Sequence, residues 1–366
     1  MGSATAHSLA RRGSKTLVLE RFGLNHRNGS SHGLTRVIRL AYSEHPFYVP
    51  LLRRAYDLWF QLQKDSGTEV ITMTGGLECG TPQSELVSGA LDSARKYGVR
   101  CKILSPREVD DQFQIFKLRD DEVAFYDYDA GIVFPEKAIA AFHELCKERV
   151  DFRFNEALLS WDLEEERIVV RTSKDAYTAE KIIFCCGAWL PQLVPELALP
   201  LKVERNVQFW MRPRELGELF SIKRMPIYGF QEIDGRVFYG APDSGEGVKV
   251  AKHHSGVFVD PDDVDRNATK DEEDEVKEFL RRRMPLLHGE PVSFSTCLYT
   301  NAPDLHFVID YHPKSRNVIL VSPCSGHGFK FSPVIGEIAS EMALDGKTRL
   351  DIAFFNLARL NATPPR

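Results

Sequence analysis

The sequence predicts an α/β fold of two interleaved domains, one of which is built on an antiparallel sheet. Residues 1–20 and 317–344 each combine a short β-branched or leucine-rich run with a helical segment. Between them, residues 202–250 form short alternating segments separated by turn residues, which is typical of an antiparallel sheet. Nucleotide-type segments therefore flank a sheet domain, and each domain must be assembled from discontinuous pieces.

Residues 1–20 have the pattern of a helix followed by a strand. Small apolar residues between Ala4 and Ala10 recur at helical spacing, and TLVLE is a strand that ends on Glu20. In a dinucleotide-binding half, Gly-x-Gly-x-x-Gly joins the first strand to the first helix, and an acid about 20 residues later binds the ribose. Gly2 and Glu20 have the spacing of the last glycine and this acid. The first strand and first two glycines are not in this sequence, so we expect either a natural start upstream of Met1 or weak cofactor binding.

Periodicity and turn residues predict the remaining elements. Helices are expected near 48–64, 84–97 and 135–149, and strands near 74–80, 153–155 and 167–171. The segment 181–189 is expected to be a buried strand that runs into a glycine turn. Residues 261–285 form a charged loop and helix, which we interpret as solvated surface. The segment 317–344 is expected to run from a strand through a glycine-rich turn into a helix.

Composition excludes several classes of protein. The 366 residues carry a formal net charge of −5, and no basic stripe with interleaved aromatics appears, which argues against a nucleic-acid binder. No apolar run approaches the ~20 residues of a membrane span, and no signal peptide is apparent. The seven cysteines show neither CxxC pairs nor metal-ligand spacing, as expected in a reducing compartment. We expect a soluble intracellular protein without a metal site.

Three strand-to-glycine turns indicate a cofactor site. They are the truncated first turn, FCCGAW with Gly187, and VSPCSGHGFKFSP with Gly326 and Gly328. Each turn alone is weak evidence, because glycine often follows a strand. Together they fit a fold in which strand ends and helix N-termini hold a pyrophosphate or the edge of a flavin.

Four charged or reactive residues admit a functional and a structural interpretation. Arg36 and Arg39 either form a carboxylate clamp or lie solvated on a surface helix. Lys249 is unexpected in the apolar run GVKVA, unless it belongs to an edge strand. Cys297 could be one more buried free thiol.

The motifs that carry these residues resemble a known family. The motifs are NGSSHGLTRVIRLAY (28–42), TGGLECG, the GAW turn, GVKVAKH, CLYTNAPDLHFVIDYHP (297–313) and SGHGFKFSPVIGE (325–337). Together they make the whole chain similar to the monomeric sarcosine oxidase and N-methyltryptophan oxidase family of FAD-dependent amine oxidases, the DAO superfamily. The resemblance implies an FAD-binding Rossmann-like domain (1–80, 135–200 and 300–366). Its first strand is truncated here, and it is interleaved with an antiparallel-sheet α+β substrate domain (81–134 and 201–299).

The resemblance also implies the residues that hold the cofactor. Cys297 matches the cysteine that forms a thioether with the 8α-methyl carbon of the flavin. Arg36 matches the arginine over the isoalloxazine ring. The other matching positions are Gly2 and Glu20 of the nucleotide fingerprint, the flavin-adjacent His32 and His327, and the turn glycines Gly187, Gly326 and Gly328.

A second set of matches concerns the substrate. Arg39 and Lys330 match the two ligands of the substrate carboxylate, and Lys249 matches the lysine that promotes reaction with molecular oxygen. The pocket residues that position the amine are His253, Tyr239 and Tyr299. A cation beside the flavin would stabilise the charge that develops there, and His253 is a candidate for removing the amine proton.

The resemblance predicts a monomeric, cytoplasmic oxidase of a secondary-amine amino acid, with covalent FAD and hydrogen peroxide as a product. Sarcosine is the default substrate. N-methyl-L-tryptophan, pipecolate and proline stay open, because Phe230 and Tyr239 form a pocket roof of unknown size. The alternatives are a flavin dehydrogenase with another electron acceptor, a non-catalytic remnant without flavin, and a nicotinamide dehydrogenase. The peroxisome is the alternative location, although the sequence ends in PPR.

Overall fold

The computed structural model describes residues 1–165, 167–213, 215–287 and 289–361. The α-helices among them are α1 (Gly2–Arg11), α2 (Tyr48–Ser66), α3 (Glu85–Tyr97), α4 (Pro106–Phe113), α5 (Pro135–Cys146), α6 (Leu190–Leu193), α7 (Lys270–Arg283) and α8 (Ser332–Asp345). The strands before residue 201 are β1 (Thr16–Glu20), β2 (Arg36–Ile38), β3 (Ile71–Met73), β4 (Gly76–Gly80), β5 (Cys101–Leu104), β6 (Val123–Asp127), β7 (Gly131–Val133), β8 (Val150–Phe154), β9 (Leu158–Glu164), β10 (Arg167–Thr172), β11 (Ala176–Ala179) and β12 (Ile182–Phe184). The later strands are β13 (Lys202–Met211), β14 (Ile227–Gln231), β15 (Val237–Ala241), β16 (Val248–His253), β17 (Val257–Phe258), β18 (Pro291–Asn301), β19 (Val308–His312) and β20 (Ser315–Ser322).

A nine-stranded sheet forms the larger part of the β-structure. Its order is β17-β13-β16-β15-β14-β4-β6-β5, and β18 pairs with β13 in addition. All pairs are antiparallel except β14 with β4. The antiparallel sheet predicted for residues 202–250 is therefore confirmed. Because β16 lies between β13 and β15, the edge-strand interpretation of Lys249 is wrong.

The nucleotide-type strands form two separate small sheets. β1 pairs in parallel with β8 in one sheet. In the other sheet, β20 pairs in parallel with β12 and antiparallel with β19. All five residues of β1 are only half-buried.

Helices α1 and α8 pack at close range. The predicted small-residue stripe of α1 is buried, with Ala4, Ala6, Leu9 and Ala10 in the interior. A Cβ atom on Gly336 of α8 would lie 2.6 Å from the carbonyl carbon and oxygen of Ala4. Small residues on both helices are thus required for this approach.

Arg36 lies on a strand, which the sequence left open. β2 pairs antiparallel with β7, and β3 pairs with the other edge of β7. The surface-helix interpretation of Arg36 and Arg39 is therefore wrong. The short segment has no repeat long enough to distinguish a helix from a strand, so periodicity could not decide this. Within the described part of the chain, no helix has the length and apolar character that spanning a bilayer requires.

Replacing Gly336 by valine should lower the free energy of unfolding by about 1–3 kcal/mol, because the new side chain forces α1 away from α8. Urea denaturation of the purified protein measures this change. Gly217→Val is the matched control, since no atom lies within 4 Å of a Cβ added at Gly217. Equal stability of the two variants would contradict the close α1–α8 packing.

Candidate functional site

The three glycine turns open onto one cavity. Its volume is about 1940 Å³, and its wall includes Gly2 at the start of α1, Gly187 after β12, and Gly326 and Gly328 after β20. Glu20 at the end of β1 lies on the same wall. The structure thus brings together turns that are more than 100 residues apart in the chain, as the sequence predicted.

The turn after β20 requires glycine at two positions. Gly326 has φ +80°, and a Cβ there would lie 2.6 Å from the ring of Tyr299 and 2.9 Å from the ring of His253. A Cβ on Gly328 would lie 1.4 Å from the carbonyl oxygen of Pro323. Neither position has room for a side chain, because Gly326 lies against aromatic rings and Gly328 lies against the backbone of Pro323.

Cys297 and Arg36 meet at the cavity wall. Cys297 is on β18, and Nη2 of Arg36 donates to its Sγ over 3.7 Å. The same Nη2 donates to the carbonyl oxygens of Ser30 at 3.0 Å and His32 at 2.6 Å. The backbone of the 28–36 loop therefore holds the guanidinium beside the sulfur, and both groups face the cavity.

Lys249 is buried beside the same loop. Its side chain is 1% exposed, and Nζ donates to the carbonyl oxygen of Thr35 at 3.0 Å. Nζ also lies 5.4 Å from the ring centroid of Tyr239. Burial lowers the pKa of Lys249 well below its usual range, and the nearby Arg36 lowers it further.

Two tyrosines and a histidine form a hydrogen-bonded group. The hydroxyls of Tyr239 and Tyr299 are 3.2 Å apart, and Nδ1 of His253 is 3.4 Å from the Tyr299 hydroxyl. Burial lowers the pKa of His253 well below its usual range, with a further contribution from His254. His253 is therefore neutral at physiological pH and can accept a proton.

His32 leaves one nitrogen unpartnered. Its Nδ1 lies 3.2 Å from Oγ of Ser295, while Nε2 is buried and makes no hydrogen bond within the described residues. Burial lowers the pKa of His32 to about 3, and Arg36 contributes to the decrease. The cavity wall includes the neighbouring Ser30 and Ser31 but not His32, so His32 lies behind the wall, next to the loop that forms it.

Arg39 and Lys330 lie against the ring of Tyr42. The guanidinium carbon of Arg39 is 4.9 Å from the ring centroid, and Nζ of Lys330 is 5.1 Å from it. Burial lowers the pKa of Lys330 to about 7, and Arg39 contributes to this decrease. The structure thus brings together the two residues that the resemblance matched to a carboxylate site. Arg36, by contrast, faces Cys297, so Arg36 and Arg39 do not form one clamp.

The Tyr42 hydroxyl connects Lys330 to His327. Nζ of Lys330 donates to the hydroxyl oxygen at 3.3 Å and to the His327 carbonyl oxygen at 3.0 Å. The hydroxyl is 2.6 Å from Nδ1 of His327, and Nε2 of His327 is 3.0 Å from the carbonyl oxygen of Leu305. Because a carbonyl oxygen only accepts, Nε2 carries the proton and Nδ1 accepts from Tyr42. Burial lowers the pKa of His327 to about 3, which agrees with this neutral ring.

Two carboxylates pair with Arg39. Oε2 of Glu44 is 2.7 Å from Nη2 of Arg39, and Oε1 of Glu78 is 3.1 Å from Nε. Glu44, Glu78 and Tyr42 are not among the site residues expected from the sequence. Glu78 had a usable signal, since an acid in the apolar run TGGLECG is as unexpected as Lys249 in GVKVA. Glu44 and Tyr42 are ordinary loop residues in the sequence.

The cavity fits a flavin dinucleotide. Gly2 of α1 and Glu20 of β1 form one part of its wall, and Cys297 and Arg36 form another, so one cavity extends between the two groups. The bare glycine turns agree with the close approach of a planar polar group in this space. Among the described residues, no group of three His, Cys, Asp or Glu side chains is placed to hold a metal ion.

Comparison with known proteins identifies the family. Residues 1–342 match the family described as FAD dependent oxidoreductase, DAO. The chain is 39% identical to a monomeric sarcosine oxidase from Streptomyces avermitilis, covering 100% of this chain and 96% of the relative. It is 29% identical to an N-methyl-L-tryptophan oxidase from Salmonella dublin, covering 99% and 96% of the two chains. The solved open form of NikD, an unusual amino acid oxidase essential for nikkomycin biosynthesis, superposes with a TM-score of 0.83 at 23% identity, over 97% of this chain and 94% of that one.

The chain therefore belongs to the FAD-dependent oxidoreductase family, and the family resemblance inferred from the motifs is confirmed. The α/β fold class is confirmed as well. The protein is an FAD-dependent oxidoreductase, and FAD is its cofactor.

Replacing Tyr42 by phenylalanine should lower the free energy of unfolding by about 1–3 kcal/mol, because buried polar atoms of Lys330 and His327 lose a hydrogen-bond partner. Chemical denaturation measures the loss. Tyr128→Phe is the control, since the Tyr128 side chain is exposed and its variant should differ by less than about 0.5 kcal/mol. An unchanged Tyr42→Phe variant would show that the hydroxyl does not connect these groups.

Proposed function

We propose that the protein is an FAD-dependent oxidase of a secondary-amine amino acid, sarcosine or a related N-methyl amino acid. The names of its relatives support an amine with a CH–NH group as the donor. The observation that carries the proposal is the arrangement of one cavity. Its wall includes Cys297 and Arg36 together with Lys330, which shares the Tyr42 ring with Arg39. FAD, when bound, would accept a hydride from the amine carbon and transfer the electrons to molecular oxygen, which yields hydrogen peroxide.

Arg39 and Lys330 would bind the substrate carboxylate. A guanidinium binds a carboxylate through two parallel hydrogen bonds, and a lysine adds a further charge. Holding the carboxylate at this point fixes the position of the neighbouring amine carbon, and such positioning contributes strongly to rate. The amino acid would then lie between the Tyr42 cluster and the cavity wall that carries Cys297.

His253, Tyr239 and Tyr299 would receive the amine. The neutral imidazole of His253 can hold a proton that the ammonium group releases, and the Tyr299 hydroxyl is within reach of His253 Nδ1. No strong base is required, because an amine need only be unprotonated to be oxidised. The aromatic side chains also exclude water from the reacting carbon.

Arg36 and Lys249 would stabilise negative charge. Both groups donate to the carbonyl oxygen of Thr35, which holds them beside each other at the Cys297 end of the cavity. A fixed cation in a site that excludes water stabilises charge that develops during a reaction. We assign Arg36 to the flavin ring and Lys249 to the step with oxygen.

We also propose the domain bounds, the oligomeric state and the location of the protein. We propose that residues 1–80, 135–200 and 300–366 form the FAD-binding domain and that 81–134 and 201–299 form the substrate domain. We further propose a monomer, supported by the names of its relatives, and a cytoplasmic location, with the peroxisome as the alternative. Size-exclusion chromatography with light scattering tests the monomer.

Flavin should stay with the protein after acid precipitation, because we propose a thioether between Cys297 and the 8α carbon. The Cys297→Ser variant should release its yellow colour to the supernatant. Cys101→Ser is the control and should retain the colour. Colour released from the unchanged protein would refute the thioether and leave a flavoenzyme, whereas a folded but colourless protein would support the remnant interpretation.

Replacing Lys249 by methionine should slow the reaction with oxygen by roughly 10²–10³-fold, since one preorganised charge is removed. Reduction by sarcosine without oxygen should change less. Stopped-flow measurement of flavin absorbance separates the two steps. Lys252→Met is the control on the same strand, because Lys252 pairs with Glu275 at 3.0 Å. Turnover with a dye but no peroxide from the unchanged enzyme would favour the flavin dehydrogenase alternative.

A further inference from the structure

Glu78 is a buried acid in the middle of the nine-stranded sheet. It lies on β4, between β14 and β6, and is 6% exposed. Opposite it on β14 is Gly229, where a Cβ would lie 3.5 Å from Oε2 of Glu78. Because Gly229 has no side chain, it leaves space for the Glu78 carboxyl group. A larger residue at position 229 would crowd that group.

The contacts of Glu78 are incomplete. Its Oε1 is 3.1 Å from Nε of Arg39, but neither Oε2 nor that Nε makes a hydrogen bond within the described residues. Glu44 is held more closely, because its Oε2 lies 2.7 Å from Nη2 of Arg39 and also accepts from the Ser43 hydroxyl at 3.1 Å. Of the two carboxyl groups on Arg39, Glu78 is therefore the one with the weaker support for a negative charge.

The basic groups around Arg39 are already matched by acids before a substrate binds. Arg39 and Lys330 provide two cations, and Glu44 and Glu78 provide two carboxyl groups. The groups that surround Glu78 are Arg39, Tyr42 and Glu44 after β2, Lys330 before α8, Asp127 on β6, and the uncharged Leu86 on α3 and Gly229 on β14. A substrate carboxylate adds a further acid to this buried cluster, which already contains Glu44, Glu78 and Asp127. A surplus buried charge is costly, and a titratable group neutralises it by binding a proton.

We propose that Glu78 takes up one proton from solvent when a substrate carboxylate binds to Arg39 and Lys330. The anion and the proton enter together, so the charge of the cluster does not change. Glu78 is then a positioning residue. In its protonated, neutral form it stays beside Arg39 while the substrate carboxylate binds to the Arg39 guanidinium. This inference rests on the carboxylate site of the proposed function.

The protonation equilibria of the free protein agree with this role. Burial raises the pKa of Glu78 to about 7, although Arg39 opposes the increase. Burial also disfavours the charged form of Glu44, but Arg39, His327 and Lys330 hold the pKa of Glu44 below its usual range. Below pH 7 Glu78 already carries its proton, so binding takes up little more. Above pH 7 binding must supply one proton, so the affinity for a carboxylate should fall as the pH rises.

Difference infrared spectroscopy on the flavin-loaded enzyme tests the proposal directly. The probe is propionate with a ¹³C carboxyl group, which has no amine and whose own bands are shifted by the label. At pH 8, propionate should produce a new carbonyl stretch of a protonated carboxyl group. The band should be absent from Glu78→Gln and present in Glu156→Gln, a buried glutamate in the β9–β11 region that accepts from Thr172 and Tyr177.

Each outcome separates the inference from the proposed function. Saturable propionate binding without the band, or a band that persists in Glu78→Gln, would overturn the role of Glu78 and leave the carboxylate site intact. Proton uptake without a carboxyl band would assign the proton to Lys330 and would likewise overturn it. If propionate fails to bind both the unchanged enzyme and Glu78→Gln, the carboxylate site of the proposed function is wrong.

Discussion

The carbonyl oxygen of Thr35 joins two buried cations and with them two parts of the chain. It accepts from Nη1 of Arg36 and from Nζ of Lys249, each at 3.0 Å. Burial and the nearby Arg36 both lower the pKa of Lys249, and the shared acceptor gives each of the two buried groups a hydrogen-bond partner in the interior. Through this oxygen the loop before β2 is fixed to the central strand β16, and Cys297 on β18 comes within reach of Arg36. Arg36 and Cys297 are both part of the cavity wall.

A second group of charges lies on the other side of β2. Arg36 at the start of the strand turns toward Cys297, whereas Arg39 just after its end turns toward Tyr42, Glu44 and Glu78. Residues three apart in extended backbone point to opposite faces. One short strand therefore serves two sites with different electrostatics. The first holds cations with carbonyl oxygens, and the second holds them with carboxylates and an aromatic ring.

The sequence predicted the regular elements well where the pattern was long. The helix expected at 48–64 is α2, and those expected at 84–97 and 135–149 are α3 and α5, with differences of a few residues at their ends. The strand expected at 153–155 is longer and begins at Val150, where it pairs with β1. The three residues of β2 gave no comparable signal, because a segment this short fits a helix and a strand equally well.

The sequence by itself determined the family and the candidate site residues, because motifs such as SGHGFKFSP and GVKVAKH carry unusual residues in a fixed order. It also determined that Gly326 and Gly328 follow a strand. Only the tertiary structure decided which ionisable side chains lie close enough to pair. Arg39 pairs with Glu78 across 39 positions, and Lys330 meets Tyr42 across 288. Ionisation depends on distance and burial in space, and neither is encoded in local spacing along the chain.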